Sequence, residues 1–153
     1  MFRDRTRSLV LLLGAALTLG ACDDSPTTLD PTAQAMAAVA GEYSAGGSLG
    51  AISLTTGDDG ETLDWLAAGA SMQVRLTADG KTTGRLFIPG ADEDGGDMDA
   101  DLTGTWTLES GKIHFQHPAD TFIRDMEFVV EGKRMVGDET FDGIRVRLEL
   151  ARQ

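Results

Sequence analysis

Six carboxylates fall within residues 92–101 and form the most conspicuous chemical feature of the chain. Asp97 and Asp99 alternate with other residues there, and closely spaced carboxylates are suitable calcium ligands. The helix–loop–helix calcium pattern does not fit, because a loop begun at Asp97 places Leu102 where the turn glycine must be and Leu108 where the bidentate glutamate belongs. The stretch predicts a solvated hairpin loop without a metal site, and calcium binding stays open as the alternative.

Two other patterns resemble catalytic or metal-binding arrangements. Residues 46–50 read Gly-Gly-Ser-Leu-Gly, which has the spacing of a nucleophile elbow, but the strand-like stretch 51–55 follows where an elbow needs a helix. His114 and His117 are three residues apart, so one strand would point them to opposite faces. His117 either ends a strand before a proline or binds a metal at a barrel mouth. We expect no enzymatic activity and no cofactor.

The only cysteine, Cys22, directly follows a segment with the features of a secretory signal. Residues 9–19 are an apolar run too short to span a bilayer as a stable helix. Small residues follow at Gly20 and Ala21, and the basic start consists of Arg3, Arg5 and Arg7. Residues 1–21 are therefore predicted to be a signal peptide.

The sequence Leu19-Gly20-Ala21-Cys22 resembles the lipobox of bacterial lipoproteins. This resemblance implies that Cys22 is thioether-linked to diacylglycerol, becomes the new N-terminus and is then N-acylated. The protein would be anchored in the cell envelope, in the inner or the outer membrane, facing the periplasm or the cell surface. The alternative is a plain secretory signal with an incidental cysteine.

Composition restricts the partners of the processed chain. The signal holds three of the 13 basic and one of the 25 acidic residues, so residues 22–153 carry a formal net charge of −14. Such a surface repels nucleic acid and anionic headgroups, and the membrane contact would depend on the lipid alone. With Cys22 acylated no thiol remains for a disulfide, so the fold depends on its hydrophobic core.

Residues 22–38 are expected to form the lipidated N-terminus and a flexible tether, within which the alanine-rich run 33–40 favours one or two helical turns. Residues 39–153 are expected to form a single all-β domain. Apolar and polar residues alternate there in short runs separated by turn dipeptides such as Asp79-Gly80 and Ser110-Gly111. The pattern predicts an antiparallel meander of about eight or nine strands, closed or nearly closed into a barrel.

One segment departs from this alternation. Asp58 followed by Glu61 has the spacing of a capping box, and Leu63, Leu66 and Ala67 lie at helical spacing before a glycine. We therefore expect one short helix near residues 59–68. It would lie over an open end of the barrel, with Trp65 or Leu66 as a plug.

Three short motifs resemble the small lipocalin-like domains of bacterial lipoproteins. They are Gly41-Glu42-Tyr43, Leu102-Thr103-Gly104-Thr105-Trp106 and Gly111-Lys112-Ile113-His114-Phe115. The resemblance implies a small barrel in which glycine–x–aromatic pairs seat a ring against the barrel floor. The chain departs from true lipocalins in having Tyr43 where they have tryptophan, and in lacking their long terminal helix.

The inward positions leave two functions open. The barrel could hold a small apolar or amphipathic ligand, lined by Met72, Trp106, Phe115, Met126 and Phe128. The same side chains could instead fill the barrel, and the protein would then be a structural or interaction protein, such as an envelope assembly factor or an inhibitor. An eight-stranded barrel is just wide enough for side chains to fill it, so interior volume separates the two functions.

Overall fold

The structure is a computed structural model and describes residues 30–56, 60–92 and 94–153. One α-helix, α1, covers Pro31–Val39, and a short 3-10 helix covers Phe122–Asp125. The strands are β1 (Gly41–Ala45), β2 (Ala51–Thr56), β3 (Thr62–Asp64), β4 (Ser71–Leu76), β5 (Lys81–Ile88), β6 (Met98–Asp101), β7 (Gly104–Glu109), β8 (Lys112–Gln116), β9 (Phe128–Glu131), β10 (Arg134–Phe141) and β11 (Ile144–Arg152). In the described part of the chain, no helix is long and apolar enough to cross a membrane.

The strands close into one antiparallel barrel of eight walls. Going round it, β1, β4, β5, β7, β8, β9, β10 and β11 are neighbours in that order, and β11 closes the ring by pairing Arg152 with Tyr43. β6 and β7 together form one wall of the barrel, because both pair with β5 in the same register. β2 and β3 continue the β1 and β4 walls past the ring. The predicted antiparallel meander closed into a barrel is confirmed, and it is consistent with the lipocalin-like resemblance.

Tight hairpins join the walls where turn dipeptides stand in the sequence. Ser110 and Gly111 have φ values of 53° and 82°, and Asp142 and Gly143 have 48° and 81°. Positive φ at both central residues defines the type I′ turn, whose twist matches that of the flanking strands. These local signals therefore fix the hairpin positions.

Gly104 lies where two barrel walls come too close for any side chain. A Cβ atom on Gly104 would lie 2.1 Å from the carbonyl oxygen of Gln116, and one on Gly84 would lie 2.2 Å from that of Gln73. Leu102, between β6 and β7, links this wall to β5 through its N–H, which donates to the Gly84 carbonyl at 3.0 Å. The two glycines thus permit the strong bending that a small closed barrel needs.

One end of the barrel, called here the closed end, is covered by α1 and by two buried aromatic rings. Asp30 caps the helix by accepting the Thr32 N–H at 2.9 Å. The Trp106 indole N–H donates to the Thr77 carbonyl oxygen at 2.9 Å, and the Tyr43 hydroxyl donates to the Val39 carbonyl oxygen at 2.6 Å. Both glycine–x–aromatic pairs therefore seat their rings at this end, and α1 packs on the barrel through the half-buried Met36 and Val39.

The prediction of a short helix near residues 59–68 is wrong. The described part of the chain has one short α-helix, and it is α1. Residues 62–64 form β3, and residues 65–69 form turns. Pairing with the open edge of β2 outweighs helical propensity here, since Leu63 lies opposite Leu54 and the Trp65 N–H donates to the Ile52 carbonyl at 2.9 Å. Asp58, half of the supposed capping box, lies outside the described residues.

Candidate functional site

The five side chains expected to line a ligand cavity all point into the barrel and are brought together there. Met72, Met126 and Phe128 are 0% exposed, Trp106 is 1% exposed and Phe115 is 2% exposed. A void wide enough for water would leave accessible surface on the atoms around it. Met72, Met126 and Phe128 therefore have no water-sized space beside them, and Trp106 and Phe115 have almost none.

The rings in the core are packed in contact rather than spaced around an opening. Phe115 and Phe128 meet edge to face, with ring centres 5.2 Å apart. A Cβ atom on Gly137 would lie 2.5 Å from the Phe128 ring and 3.0 Å from the Met126 methyl carbon, so even an alanine would not fit there. Around these residues the barrel is filled.

The surface concavities are shallow and polar. A groove of about 320 Å³ crosses the outer wall of β1, β4 and β5, beside Ser44, Gln73 and the Glu42–Arg75 ion pair. A wider depression of about 540 Å³ lies where β8 ends, beside Phe115 and His117. Neither reaches the centre of the core.

The end of the barrel opposite α1, called here the mouth, is built from the described residues of four segments: 54–70, 89–101, 117–126 and 139–146. The turn before β4 meets the second segment, since a Cβ on Gly69 would lie 3.8 Å from Pro89. The second and third segments share a cleft lined by Asp97, Asp101 and Thr121. The third segment returns to the first where the Phe122 and Trp65 rings lie 6.3 Å apart.

The 3-10 helix Phe122–Asp125 seals the mouth. Ile123 is 0% exposed, and Met126 directly after the helix is also fully buried. Trp65 and Leu66 are half-buried against the same core, so they contribute to the seal without forming it alone. Sequence reasoning did not identify this plug, although the apolar pair Phe122-Ile123 inside a long loop after a proline was a usable signal.

Beyond the seal the sheet continues outward with its inner face partly uncovered. Residues directly opposite each other on paired strands share a face, which puts Leu63 with Leu54 and Phe141 with Ile144 on the side of the buried Val146. Leu63 is 51% exposed and Ile144 is 37% exposed. We call the exposed or half-buried residues around the seal the apolar rim: Leu54, Leu63, Trp65, Phe122, Phe141 and Ile144.

Acidic residues are concentrated in the same four segments that carry the apolar rim. The described residues of the four mouth segments include eleven acidic and two basic residues, whereas the rest of the described chain has eight of each. We call the eleven the acidic ring: Glu61, Asp64, Asp92, Asp94, Asp97, Asp99, Asp101, Asp120, Asp125, Glu139 and Asp142. Essentially all of the net negative charge of the described chain is therefore at the mouth.

The few cations near the mouth already have partners. Arg124 pairs with Asp120 at 2.5 Å, and Arg145 pairs with Asp138 at 2.6 Å. Arg85, on β5, forms an ion pair with Asp99, and its hydrogen bonds hold the pKa of that carboxyl below its usual value. Asp97 and Asp101 accept hydrogen bonds from backbone N–H groups instead. Asp99 and Asp120 are thus paired with arginines, and the formal charge of the mouth segments, with both of their arginines counted, is −9.

The fold does not assemble a cluster of calcium ligands from the described residues of 92–101. Among the described residues, no group of three histidine, cysteine, aspartate or glutamate side chains could hold a metal ion. Asp97 and Asp101 face backbone donors, Asp99 faces Arg85, and Glu93 lies outside the described residues. The absence of calcium binding stays a prediction to be tested.

The two histidines are separated as their spacing indicated. His114 points outward, 3.9 Å from Glu127, whereas His117 is 7% exposed at the mouth. His117 Nδ1 lies 3.1 Å from the Ala119 carbonyl oxygen, and its Nε2 has no hydrogen-bond partner among the described residues. Burial lowers the pKa of His117, and nearby Arg124 lowers it further, whereas the Ala119 hydrogen bond and Asp101 raise it.

Residues 46–50 form a turn between β1 and β2, in which Gly46 and Leu49 exchange backbone hydrogen bonds. This is not the strand–turn–helix setting of a nucleophile elbow. Cys22 and the predicted lipobox before it lie outside the described residues. No protein-family model, curated protein or solved structure matches this chain.

Proposed function

We propose that this protein is a lipid-anchored envelope protein whose filled barrel serves as an interaction module and not as a ligand carrier. One observation favours the interaction module over the ligand carrier. The five inward side chains expected to line a cavity are at most 2% exposed, so an apolar ligand would have to displace core residues to enter.

The anchor rests on the sequence. Leu19-Gly20-Ala21-Cys22 stands directly after a basic start and a short apolar run, which together have the pattern of a lipoprotein signal. The chain then enters the barrel through α1 at the closed end, opposite the mouth. An acyl chain on Cys22 would thus hold the closed end near the bilayer and leave the mouth toward solvent.

The anchor is tested by metabolic labelling with a fatty-acid analogue. The wild-type chain should incorporate the label into the envelope fraction, and the Cys22→Ser chain should incorporate none and should lose its membrane association. Label retained on the Cys22→Ser chain would refute the anchor. A Ser25→Ala chain, changed within the same segment, serves as the matched control and should be labelled normally.

The filled interior is tested with a fluorescent fatty acid added to the full-length protein in zwitterionic nanodiscs. We expect no saturable uptake, because the space beside Met72 and Phe128 is occupied by their neighbours. Saturable binding that Met72→Trp removes while leaving the fold intact would instead establish the ligand-carrier function. An outer-wall variant, Gln73→Trp, is the control for the added ring.

A further inference from the structure

We infer that the mouth of the barrel is the interaction surface, and that it fits a cationic amphipathic segment of another polypeptide. This inference rests on the proposed function as an interaction module and specifies its partner. Two independent properties of the mouth support this inference. One is the uncovered apolar rim, and the other is the concentration of negative charge in the same segments.

The apolar rim supplies contact area for a partner. Leu63 and Ile144 are large apolar side chains exposed on the inner face of the sheet, and Trp65 and Phe122 lie between them and the sealed core. Contiguous apolar side chains surrounded by polar residues mark interaction sites on soluble surfaces. Half-buried aromatic residues are also the side chains that contribute most to binding energy at interfaces.

The acidic ring determines the charge of the partner. The mouth segments carry a formal charge of −9, from two basic and eleven acidic residues, whereas the rest of the described chain is neutral. A lysine- or arginine-rich segment would be attracted to this end specifically, because opposite charges steer encounter and suppress binding of wrong partners. Its apolar side chains would then lie on Leu63, Trp65 and Ile144.

The same charge distribution argues against three other occupants, and the lack of a ligand group among the described residues argues against a fourth. A second copy of the chain would bring two acidic rings together, and like charges at close range cost several kcal/mol. Nucleic acid and anionic lipid headgroups would be repelled. A metal ion would find no group of three ligands among the described residues. A basic amphipathic polypeptide is the occupant whose charges would be attracted by the acidic ring and whose apolar side chains would contact the apolar rim.

The test measures binding of two synthetic peptides to the full-length protein in zwitterionic nanodiscs, with empty nanodiscs as the blank. One peptide is an amphipathic helix of lysine and leucine, and the other has glutamate at every lysine position. We expect saturable binding of the lysine peptide only, with an affinity that falls steeply as salt is added. Trp65 fluorescence should change on binding, and the change should be absent in Trp65→Phe, because Trp106 is buried at the closed end.

Matched variants locate the site. Leu63→Ser with Ile144→Ser should weaken binding at least tenfold, whereas Leu49→Ser with Val129→Ser, changes at equally exposed apolar residues away from the mouth, should leave it unchanged. Asp97→Asn with Asp142→Asn should weaken binding several-fold, and Glu109→Gln with Glu131→Gln, away from the mouth, should not. All four side-chain pairs lie on the surface, so these variants should fold.

Equal binding of both peptides, or equal loss from the mouth variants and their controls, would overturn the inference. So would saturable binding of the lysine peptide that is insensitive to the mouth substitutions. The proposed function fails in a different experiment, by saturable uptake of the fluorescent fatty acid. The two failures can therefore be distinguished.

Discussion

The guanidinium group of Arg152 lies 5.7 Å from the centre of the Tyr43 ring, and its two terminal nitrogens reach the end of α1. Nη1 donates to the Ala38 carbonyl oxygen at 3.2 Å, and Nη2 donates to the Ala40 carbonyl oxygen at 2.5 Å. The last residue of β11 therefore holds the helix on the barrel. It does so with one planar group that stacks on a ring and donates in two directions.

Arg152→Lys should release α1 while leaving the barrel folded. Lysine keeps the charge near Tyr43 but lacks the fork that reaches both carbonyls, and each hydrogen bond from a charged donor contributes about 1.5–3 kcal/mol when well formed. Hydrogen exchange should speed up in residues 33–40 and stay slow in β4 and β5. Arg75→Lys, on the outer wall, should change neither region. Unchanged protection of α1 in Arg152→Lys would contradict the assignment.

Trp106→Ala should be among the most destabilising single substitutions in the barrel. Its ring is 1% exposed, and truncation of a buried aromatic costs about 3–5 kcal/mol. Thr105→Ala, one residue away on the exposed face, should cost about 0.5 kcal/mol or less. Urea unfolding of both variants measures the difference, and equal losses would mean that the inward and outward faces of β7 are wrongly assigned.

His117 should make stability depend on pH below about neutrality. Burial lowers its pKa below the usual 6.5, so the unfolded chain takes up the proton at a higher pH than the folded chain does. Stability is therefore expected to fall as pH falls from about 6.5 toward the lower folded-state pKa, with Arg124 and Asp101 facing the ring from the mouth. His117→Asn should lose this slope, which chemical unfolding at several pH values would reveal. An identical slope in both proteins would assign it to other groups.

Calcium should leave the melting temperature nearly unchanged once ionic strength is matched. Asp97 and Asp101 face backbone donors, Asp99 faces Arg85, and the described residues contain no group of three metal ligands. A specific site would stabilise the fold by about 2.7 kcal/mol at a hundredfold excess over its dissociation constant. A rise of several degrees with calcium but not with magnesium, abolished by Asp97→Asn with Asp99→Asn, would establish a site.

Much of the barrel follows from local properties of the sequence. Side chains of a strand alternate between its two faces, so the spacing of Met72, Val74 and Leu76 already identifies them as inward residues. The same alternation runs unbroken from Ala100 to Trp106, because β6 and β7 keep one register along β5. Turn dipeptides likewise fix the hairpins, since their backbone conformation is set within two residues.

The features of the mouth required the tertiary structure. Leu63, Leu66 and Ala67 have helical spacing, but the open edge of β2 pairs with residues 62–64 as a strand, a choice that depends on residues distant in sequence. Phe122 and Ile123 become a plug only because the loop after β8 folds back over the core. Whether the inward side chains enclose a cavity also depends on how they pack across neighbouring strands, as the Phe128 ring does over Gly137.

By itself the sequence determined the class of fold and the inward residues, because strand alternation and turn conformation are each encoded within a few neighbouring residues. Only the tertiary structure decided that the interior is filled and that the apolar rim and most of the acidic residues belong to the same end of the barrel. Both depend on distances between segments far apart in the chain, such as Trp65 and Phe122, and these are fixed only when the barrel closes.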